Sequence, residues 1–215
     1  MNQSGPDMRV VELIMALRSA GIVDKAVLGA LERIPRDVFV TSEFTKRAYE
    51  NRALPIACGQ TISQPFVVAM MTEALCLTPR LRVLEVGTGS GYQCAILSLL
   101  ARRVYTIERY RTLMKAAEER FDRLRLRNIV TRLGDGMLGW PEQGEFDRIL
   151  VTAGTKECPP ALLSQLCEGG LLVAPIGPPE GQFVTVFRRD GDVFHQRQVA
   201  PVRFVPLIAG IASAL

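Results

Sequence analysis

The sequence predicts an α/β fold of the Rossmann-like kind: a mostly parallel seven-stranded sheet with helices on both faces, a C-terminal antiparallel hairpin, and an N-terminal helical and loop-rich extension. Three observations predict it. From Val83 onward, short β-rich runs alternate with helical periodicity. A glycine-rich turn, Gly87-Thr88-Gly89-Ser90-Gly91, joins the first of these strands to the helix that follows. Asp190-Gly191 stands between two short alternating segments, the signature of a hairpin.

Taken in order, Val11, Leu13, Ile14 and Leu17, then Val27, Leu28 and Leu31, recur at helical spacing and are interrupted at Gly21-Ile22-Val23-Asp24. Two short helices therefore lie between Val10 and Arg33, the second capped by Asp24. Phe39 to Gln64 contains Pro55, Gly59 and many polar residues without periodicity, an extended connection long enough to carry function. Pro65 opens a helix running through Val67, Val68, Met71 and Leu75 to about Leu77, with proline in the first turn where its missing N–H costs nothing. Strands Val83–Gly87, Val104–Glu108 and Ile129–Leu133 then alternate with helices Tyr92–Ala101 and Arg111–Leu126 as βαβ units. Strands Asp147–Val151 and Gly170–Pro175, with a helix from Pro160 to Leu166 between them, extend the parallel sheet, and Phe183–Arg188 pairs with Val193–Gln198 to close it. The apolar tail Pro206 to Leu215 is too short to span a membrane and is expected to pack on the body. One domain is expected over 1–215, with residues 1–79 as the extension and 80–215 as the core.

Of the 215 residues, 48% are hydrophobic and 22% charged, a balance that excludes disordered and fibrous classes. The five cysteines are scattered without a Cys-x-x-Cys pair and His195 is the single histidine, so neither a disulfide framework nor a metal site is expected. The first seven residues lack the basic and apolar regions of a secretion signal, and no apolar run approaches the ~18 residues of a membrane span. A cytoplasmic location with no membrane partner is the expectation, with a monomer favoured. His195 lies in a strand pattern and is read as structural, which argues against a Ser-His-Asp hydrolase. Net charge is +4, and the densest basic run, Arg120, Arg123, Arg125, Arg127 and Arg132, is mixed with Glu118, Glu119 and Asp122 and has no interleaved aromatics. That run reads as a solvated helix face, and no nucleic-acid partner is expected.

The chemistry concentrates at strand ends. Glycines in the Gly87–Gly91 turn let the backbone bend sharply and approach a ligand at the carboxyl edge of the sheet. The spacing Gly-x-Gly-x-Gly differs from the Gly-x-Gly-x-x-Gly of dinucleotide binders. Glu85 lies two positions before the first glycine. Glu108 ends the next strand, where a carboxylate faces the ribose of a bound nucleoside, and Asp135 follows the third strand in Gly134-Asp135-Gly136, able to accept from an adenine amino group. Each acid alone could be a cap or a solvated loop residue; three at consecutive strand ends around one glycine loop favour a nucleoside.

This arrangement resembles the S-adenosylmethionine-dependent methyltransferases, and two segments make the resemblance specific. Leu54-Pro55-Ile56 followed by Gly59-Gln60-Thr61-Ile62-Ser63-Gln64-Pro65, together with the run from Val83 to Gln93, closely resembles the protein-L-isoaspartate O-methyltransferases. Gly21 to Asp24, Pro35-Arg36, Phe39-Val40, Tyr105 to Arg109, Gly134 to Gly136, Phe146 to Ile149, Val151 to Ala153 and Gly169-Gly170 extend the similarity along nearly the whole chain. Ala57 and Cys58 stand where the family usually has a glycine and a variable residue. The resemblance implies the class I methyltransferase fold and methylation of the free α-carboxylate of L-isoaspartyl residues in damaged proteins and peptides, with S-adenosylmethionine as methyl donor and S-adenosylhomocysteine as product. It implies Ser63 as the catalytic residue. It places Thr61, Ile62, Ser63, Gln64, Glu85, Gly87, Thr88, Gly89, Ser90, Glu108, Asp135 and Gly136 at the cofactor, and Gln60, Ser63 and Val205 at the substrate, Val205 within the substrate-side run Val202 to Leu207. For Ser63 the other local role is a cap on the helix that starts at Pro65.

Two other classes remain open at this point. A nucleic-acid methyltransferase would share the cofactor half, but the chain has Val151-Thr152-Ala153-Gly154 where base amino-methylation uses an Asp/Asn-Pro-Pro-aromatic run, and Cys158-Pro159 in the reverse order of a cytosine C5 enzyme. Strong salt-dependent RNA or DNA binding would favour that class. A non-catalytic nucleotide-binding adaptor keeps the fold without the activity. A nicotinamide-dependent dehydrogenase is a weaker third.

Overall fold

The computed structural model describes residues 7–212. The reading of a missing secretion signal therefore falls, for Met1 to Pro6, outside the described residues, as does the end of the tail, 213–215.

Helices α1 (Met8–Ser19) and α2 (Lys25–Arg33) begin on aspartates. The Asp7 carboxylate accepts from Arg9 N and that of Asp24 from Ala26 N and Val27 N, which satisfies N–H groups left without partners in a first turn. Next come three 3₁₀ turns, at Arg36–Phe39, Ser42–Arg47 and Ala57–Gly59, and a two-residue antiparallel pair, β1 (Leu54–Pro55) with β2 (Thr61–Ile62). The stretch expected to be an extended connection is thus pinned structure, with Phe39, Ala48, Leu54 and Ile62 buried. Helix α3 (Pro65–Ala74) follows.

The core is β3 (Arg82–Val86), α4 (Tyr92–Leu100), β4 (Arg103–Glu108), α5 (Arg111–Arg123), β5 (Ile129–Leu133), β6 (Phe146–Val151), α6 (Pro160–Leu163), β7 (Leu166–Ile176), β8 (Gln182–Asp190) and β9 (Val193–Val202). The sheet order is β5-β4-β3-β6-β7-β8-β9. The first five strands are parallel, and the β7-β8-β9 edge is antiparallel. Strand direction alternates side chains between faces. Val83, Val104, Leu150 and Val173 join α1 to α5 in one apolar cluster, while Leu84, Val86, Ile107, Ile149 and Leu172 meet Trp140 and Leu162 on the other face. The order reverses at β3: β4 lies on one side of it and β6 on the other. That leaves a crevice at the carboxyl ends, where doubly wound folds bind ligands.

Several boundaries move from the sequence reading. The helix expected over 160–166 stops at Leu163, because the Gln165 side chain accepts from Trp140 N and donates to the Leu138 and Ala161 carbonyls while Phe146 N takes the Gln165 carbonyl into the sheet. β7 therefore starts at Leu166, four residues earlier than expected. The helices expected to reach Leu77 and Leu126 end at Ala74 and Arg123, and the chain turns through left-handed Cys76 and Arg125, with no glycine to announce either stop. His195 sits on the outer strand β9, its side chain 64% exposed and 3.6 Å from Asp190. Arg120 is not part of a solvated face: it is half-buried and donates to the Val38 and Ser90 carbonyls. No helix among the described residues is long and apolar enough to cross a membrane.

Two glycines give opposite expectations. Gly29 lies inside α2 with nothing within 4 Å of an added Cβ, so Gly29→Ala should stabilise the protein by roughly 0.5–1 kcal/mol. Gly91 has φ +86° and a Cβ there would lie 2.8 Å from the Phe121 ring, so Gly91→Ala should cost about 2 kcal/mol or more. Urea unfolding midpoints of the two variants check both signs.

Candidate active site

A cleft opens at the reversal point, between the glycine loop, the end of β4, the Gln60–Ser63 segment and the chain after β9. Its floor is the turn from β3 to α4, in which Gly87, Gly89 and Gly91 take φ of 99°, 54° and 86°. L side chains avoid this region, so glycine is required. At Gly87 there is also no room for a Cβ, because the Thr152 hydroxyl crosses behind it and donates to the Gly87 carbonyl at 2.7 Å. Gly87 N and Thr88 N donate to the Ile107 carbonyl, anchoring the turn to β4.

Under the floor runs a buried polar chain. The Thr88 and Thr106 hydroxyls are 2.7 Å apart, and Thr106 Oγ1 donates to Glu85 Oε2 at 2.6 Å. Glu85 is fully buried, its Oε1 has no partner, and burial pushes its pKa up to about 8, against smaller opposing effects of Thr106 and Cys94. It is a neutral acid at pH 7 that supports the loop from below and does not reach the cleft.

Glu108 forms the first wall. Its Oε2 accepts from Gly89 N at 2.8 Å, and its Oε1 accepts from Arg109 N at 2.8 Å and Tyr110 N at 2.9 Å. A carboxylate has about four acceptor positions, so one side remains for a ligand hydroxyl.

The opposite wall is the Gln60–Ser63 segment. Gln60 Nε2 donates to the carbonyl of Cys58, which holds φ 59°, and Ile56 N donates to the Gln60 carbonyl. The capping role for Ser63 is not realised. Gln64 is the N-cap of α3 and makes no side-chain capping bond, while Phe66 N is met by Asn51 Oδ1 at 3.0 Å. Among the described residues the Ser63 hydroxyl makes no hydrogen bond, and Ser63 lines the cleft beside Gln60, Thr61 and Ile62.

The third wall is the chain after β9. Gly154 N donates to the Val205 carbonyl, and Leu207 N returns a bond to the Gly154 carbonyl. The tail continues over the edge of the sheet, with Gly210 N donating to Asp135 Oδ2 at 2.7 Å and Ala212 N to the Arg109 carbonyl. Residues 207–212 thus dock on the body.

Of the residues singled out in the sequence, Gln60, Thr61, Ile62, Ser63, Gly87, Thr88, Gly89, Ser90, Glu108, Gly136 and Val205 line this cleft. Gln64, Glu85 and Asp135 do not. Asp135 stands behind the lining: its Oδ1 accepts from Met137 N and its Oδ2 from Gly210 N, so it caps a turn and fastens the tail. Ile107, Tyr110, Leu113, Gln93, Thr152 and Ile208 also line the cleft and were not singled out. Tyr110, two residues past a strand-end acid, carried a positional signal; Ile208, in an apolar tail, carried none.

The Glu85 proton makes stability fall with pH. Its folded pKa lies above the unfolded one, so the folded state holds a proton that the unfolded state has released between pH 4.5 and 8. That contribution is complete below about pH 4.5 and is lost as the pH rises towards 8. Glu85→Gln, which mimics the neutral acid, lacks this dependence. The difference in Tm, variant minus wild type, should therefore be larger at pH 8.5 than at pH 5; a flat difference would mean that Glu85 titrates normally.

A family model described as Protein-L-isoaspartate(D-aspartate) O-methyltransferase (PCMT) matches residues 8–212. A protein-L-isoaspartate O-methyltransferase of Maricaulis maris is 55% identical over 210 residues, 98% of this chain and 99% of that protein. One of Rhodospirillum centenum is 56% identical over 206 residues, 95% and 93% of the two chains. Among solved structures, a protein-L-isoaspartate O-methyltransferase superposes with a TM-score of 0.86 at 28% identity, covering 94% of this chain and 67% of that one. Another, a β-aspartate methyltransferase (PCMT) from Plasmodium falciparum in complex with S-adenosyl-L-homocysteine, gives a TM-score of 0.80 at 25% identity, covering 92% and 97%. With matches of this extent and a cleft built from the same two motifs that carried the resemblance, the chain belongs to the protein-L-isoaspartate(D-aspartate) O-methyltransferase family.

Proposed function

We propose that this protein transfers a methyl group from S-adenosylmethionine to the free α-carboxylate of L-isoaspartyl residues in damaged proteins and peptides, which starts their return to aspartate through a succinimide. The observation that carries the reading is the meeting of two half-sites in one cleft: the glycine loop with Glu108 on one side, and the Gln60–Ser63 segment with an uncommitted hydroxyl on the other.

The residues present fit the donor. Glu108 would hold a ribose hydroxyl on its remaining acceptor side. At Gly89 a Cβ would meet nothing nearer than Ile56 at 3.9 Å, so the loop leaves space above itself for a ligand. Gly87, Thr88, Ser90 and Gly136 would line the nucleoside, and Thr61, Ile62 and Ser63 the methyl-bearing end. Glu85 and Asp135 act from behind, supporting the loop and the tail.

S-adenosylmethionine supplies a methyl group on a sulfonium sulfur that an ionised carboxylate can attack directly. Carboxylates are ionised near neutral pH, so no general base is needed, and the cleft lining contains no histidine or lysine. The work left to the chain is alignment. In this reading the Ser63 hydroxyl donates to the substrate carboxylate and holds one oxygen towards the methyl, while Gln60 and Val205 flank the peptide.

Labelled S-adenosylmethionine with matched L-isoaspartyl and L-aspartyl peptides tests this directly: base-labile methyl ester should form on the isoaspartyl peptide alone. Label on neither peptide, or on both equally, would contradict it. Ser63→Ala should lower kcat on the order of 10²–10³ with an unchanged Kd for S-adenosylhomocysteine, as loss of one positioned donor does. Isothermal titration beside steady-state kinetics separates the two quantities.

A further inference from the structure

One charged side chain lies behind the catalytic wall and is used by nothing described so far. Arg36, in the 3₁₀ turn after α2, is 0% exposed. Its Nε donates to the Ala48 carbonyl at 2.8 Å and its Nη2 to the Ser63 carbonyl at 2.7 Å. Its guanidinium carbon stands 4.7 Å from the centre of the Tyr92 ring, and Tyr92 lines the cleft. Nη1 and the Tyr92 hydroxyl are both buried without a hydrogen-bond partner.

Packing alone does not account for this arrangement. A buried guanidinium stays charged and is costly to desolvate, so an apolar side chain of similar volume would serve a purely structural site better. What an apolar side chain cannot do is bridge two carbonyls. Ala48 and Ser63 lie at either end of a loop stretch whose only strand pairing among the described residues is the two-residue β1-β2 contact. Among the described residues the Ser63 hydroxyl has no hydrogen bond of its own, and Pro65 two residues on has no N–H, so the position of Ser63 is set through its backbone. We propose that Arg36 is the positioning residue for Ser63: its guanidinium fixes the Ser63 carbonyl against Ala48 and Tyr92, and thereby aims the Ser63 hydroxyl across the cleft. The inference rests on the reading of Ser63 given above.

A double-mutant cycle tests it. Lysine at position 36 keeps the charge but lacks the planar fork that reaches both carbonyls. Arg36→Lys should lower kcat for the isoaspartyl peptide about 10- to 100-fold, since a displacement of the order of 1 Å costs that much. Its Kd for S-adenosylhomocysteine should stay within about 3-fold, because the hydrogen bonds of Arg36 go to Ala48 and Ser63 and none goes to the glycine loop or Glu108. In a Ser63→Ala background the same substitution should change kcat by less than about 3-fold, since there is no hydroxyl left to misplace. Arg36→Gln, neutral but still a donor, is made in parallel and should show the same loss of effect on Ser63→Ala. Equal falls in both backgrounds would overturn the proposal, and so would failure of both variants to melt cooperatively or bind S-adenosylhomocysteine, which would make Arg36 a fold residue. A Ser63→Ala enzyme with full activity would overturn the reading of Ser63 itself, and this inference with it.

Discussion

The Glu108 carboxylate ties together the two turns that the reversal of the sheet would otherwise leave apart. It gathers the N–H groups of Gly89, Arg109 and Tyr110, drawing the β3–α4 turn against the start of α5. Hydrogen bonds to a charged group contribute about 1.5–3 kcal/mol each, and without the carboxylate these N–H groups would lose that partner in a largely buried setting. The left-handed glycines, the anchoring of Gly87 and Thr88 on Ile107, and the Thr88–Thr106–Glu85 chain below all presuppose that alignment. The same carboxylate then faces the cleft, so one group both shapes the floor and presents acceptors to a ligand.

The two sides of the cleft are held by different physics. The nucleoside side stands on parallel strands whose ladders fix the ends of β3, β4 and β6. The Ser63 side is carried by a segment with little regular structure, where buried apolar anchors such as Phe39, Leu54 and Ile62 supply cohesion and side-chain hydrogen bonds supply direction. Asn51 completes the start of α3, Arg36 grips Ser63, and Arg120 reaches from α5 to both Val38 and the Ser90 carbonyl of the glycine loop. That last residue bridges the N-terminal segment and the floor of the cleft.

What could be read in the sequence follows the range of the interactions involved. The strand and helix alternation, the Asp24 cap, the glycine turn and the Asp190-Gly191 hairpin are local patterns, and the chain folds as they indicate. The end of α6 was not legible, because Gln165 leaves the helix to satisfy Trp140 and Phe146, neither of them its sequence neighbour. The fastening role of Asp135 was hidden for the same reason: nothing local shows that Gly210, 75 residues on, donates to its second oxygen. Arg120 read as solvated beside its acidic neighbours, and its carbonyl partners at Val38 and Ser90 appear only in three dimensions. The motif around Ser63 singled out a residue that lines the cleft, while its lack of a capping bond needed the structure.

The central claim is that the nucleoside is held by Glu108 with its reacting end turned to Ser63. A crystal structure of the protein with S-adenosylhomocysteine and an isoaspartyl peptide tests it most directly. The expected result is a ribose hydroxyl donating to Glu108 Oε2, the sulfur between the glycine loop and the Gln60–Ser63 wall, and the isoaspartyl carboxylate on the Ser63 hydroxyl. A nucleoside bound away from Glu108, or a peptide carboxylate held by other groups with Ser63 turned aside, would contradict it.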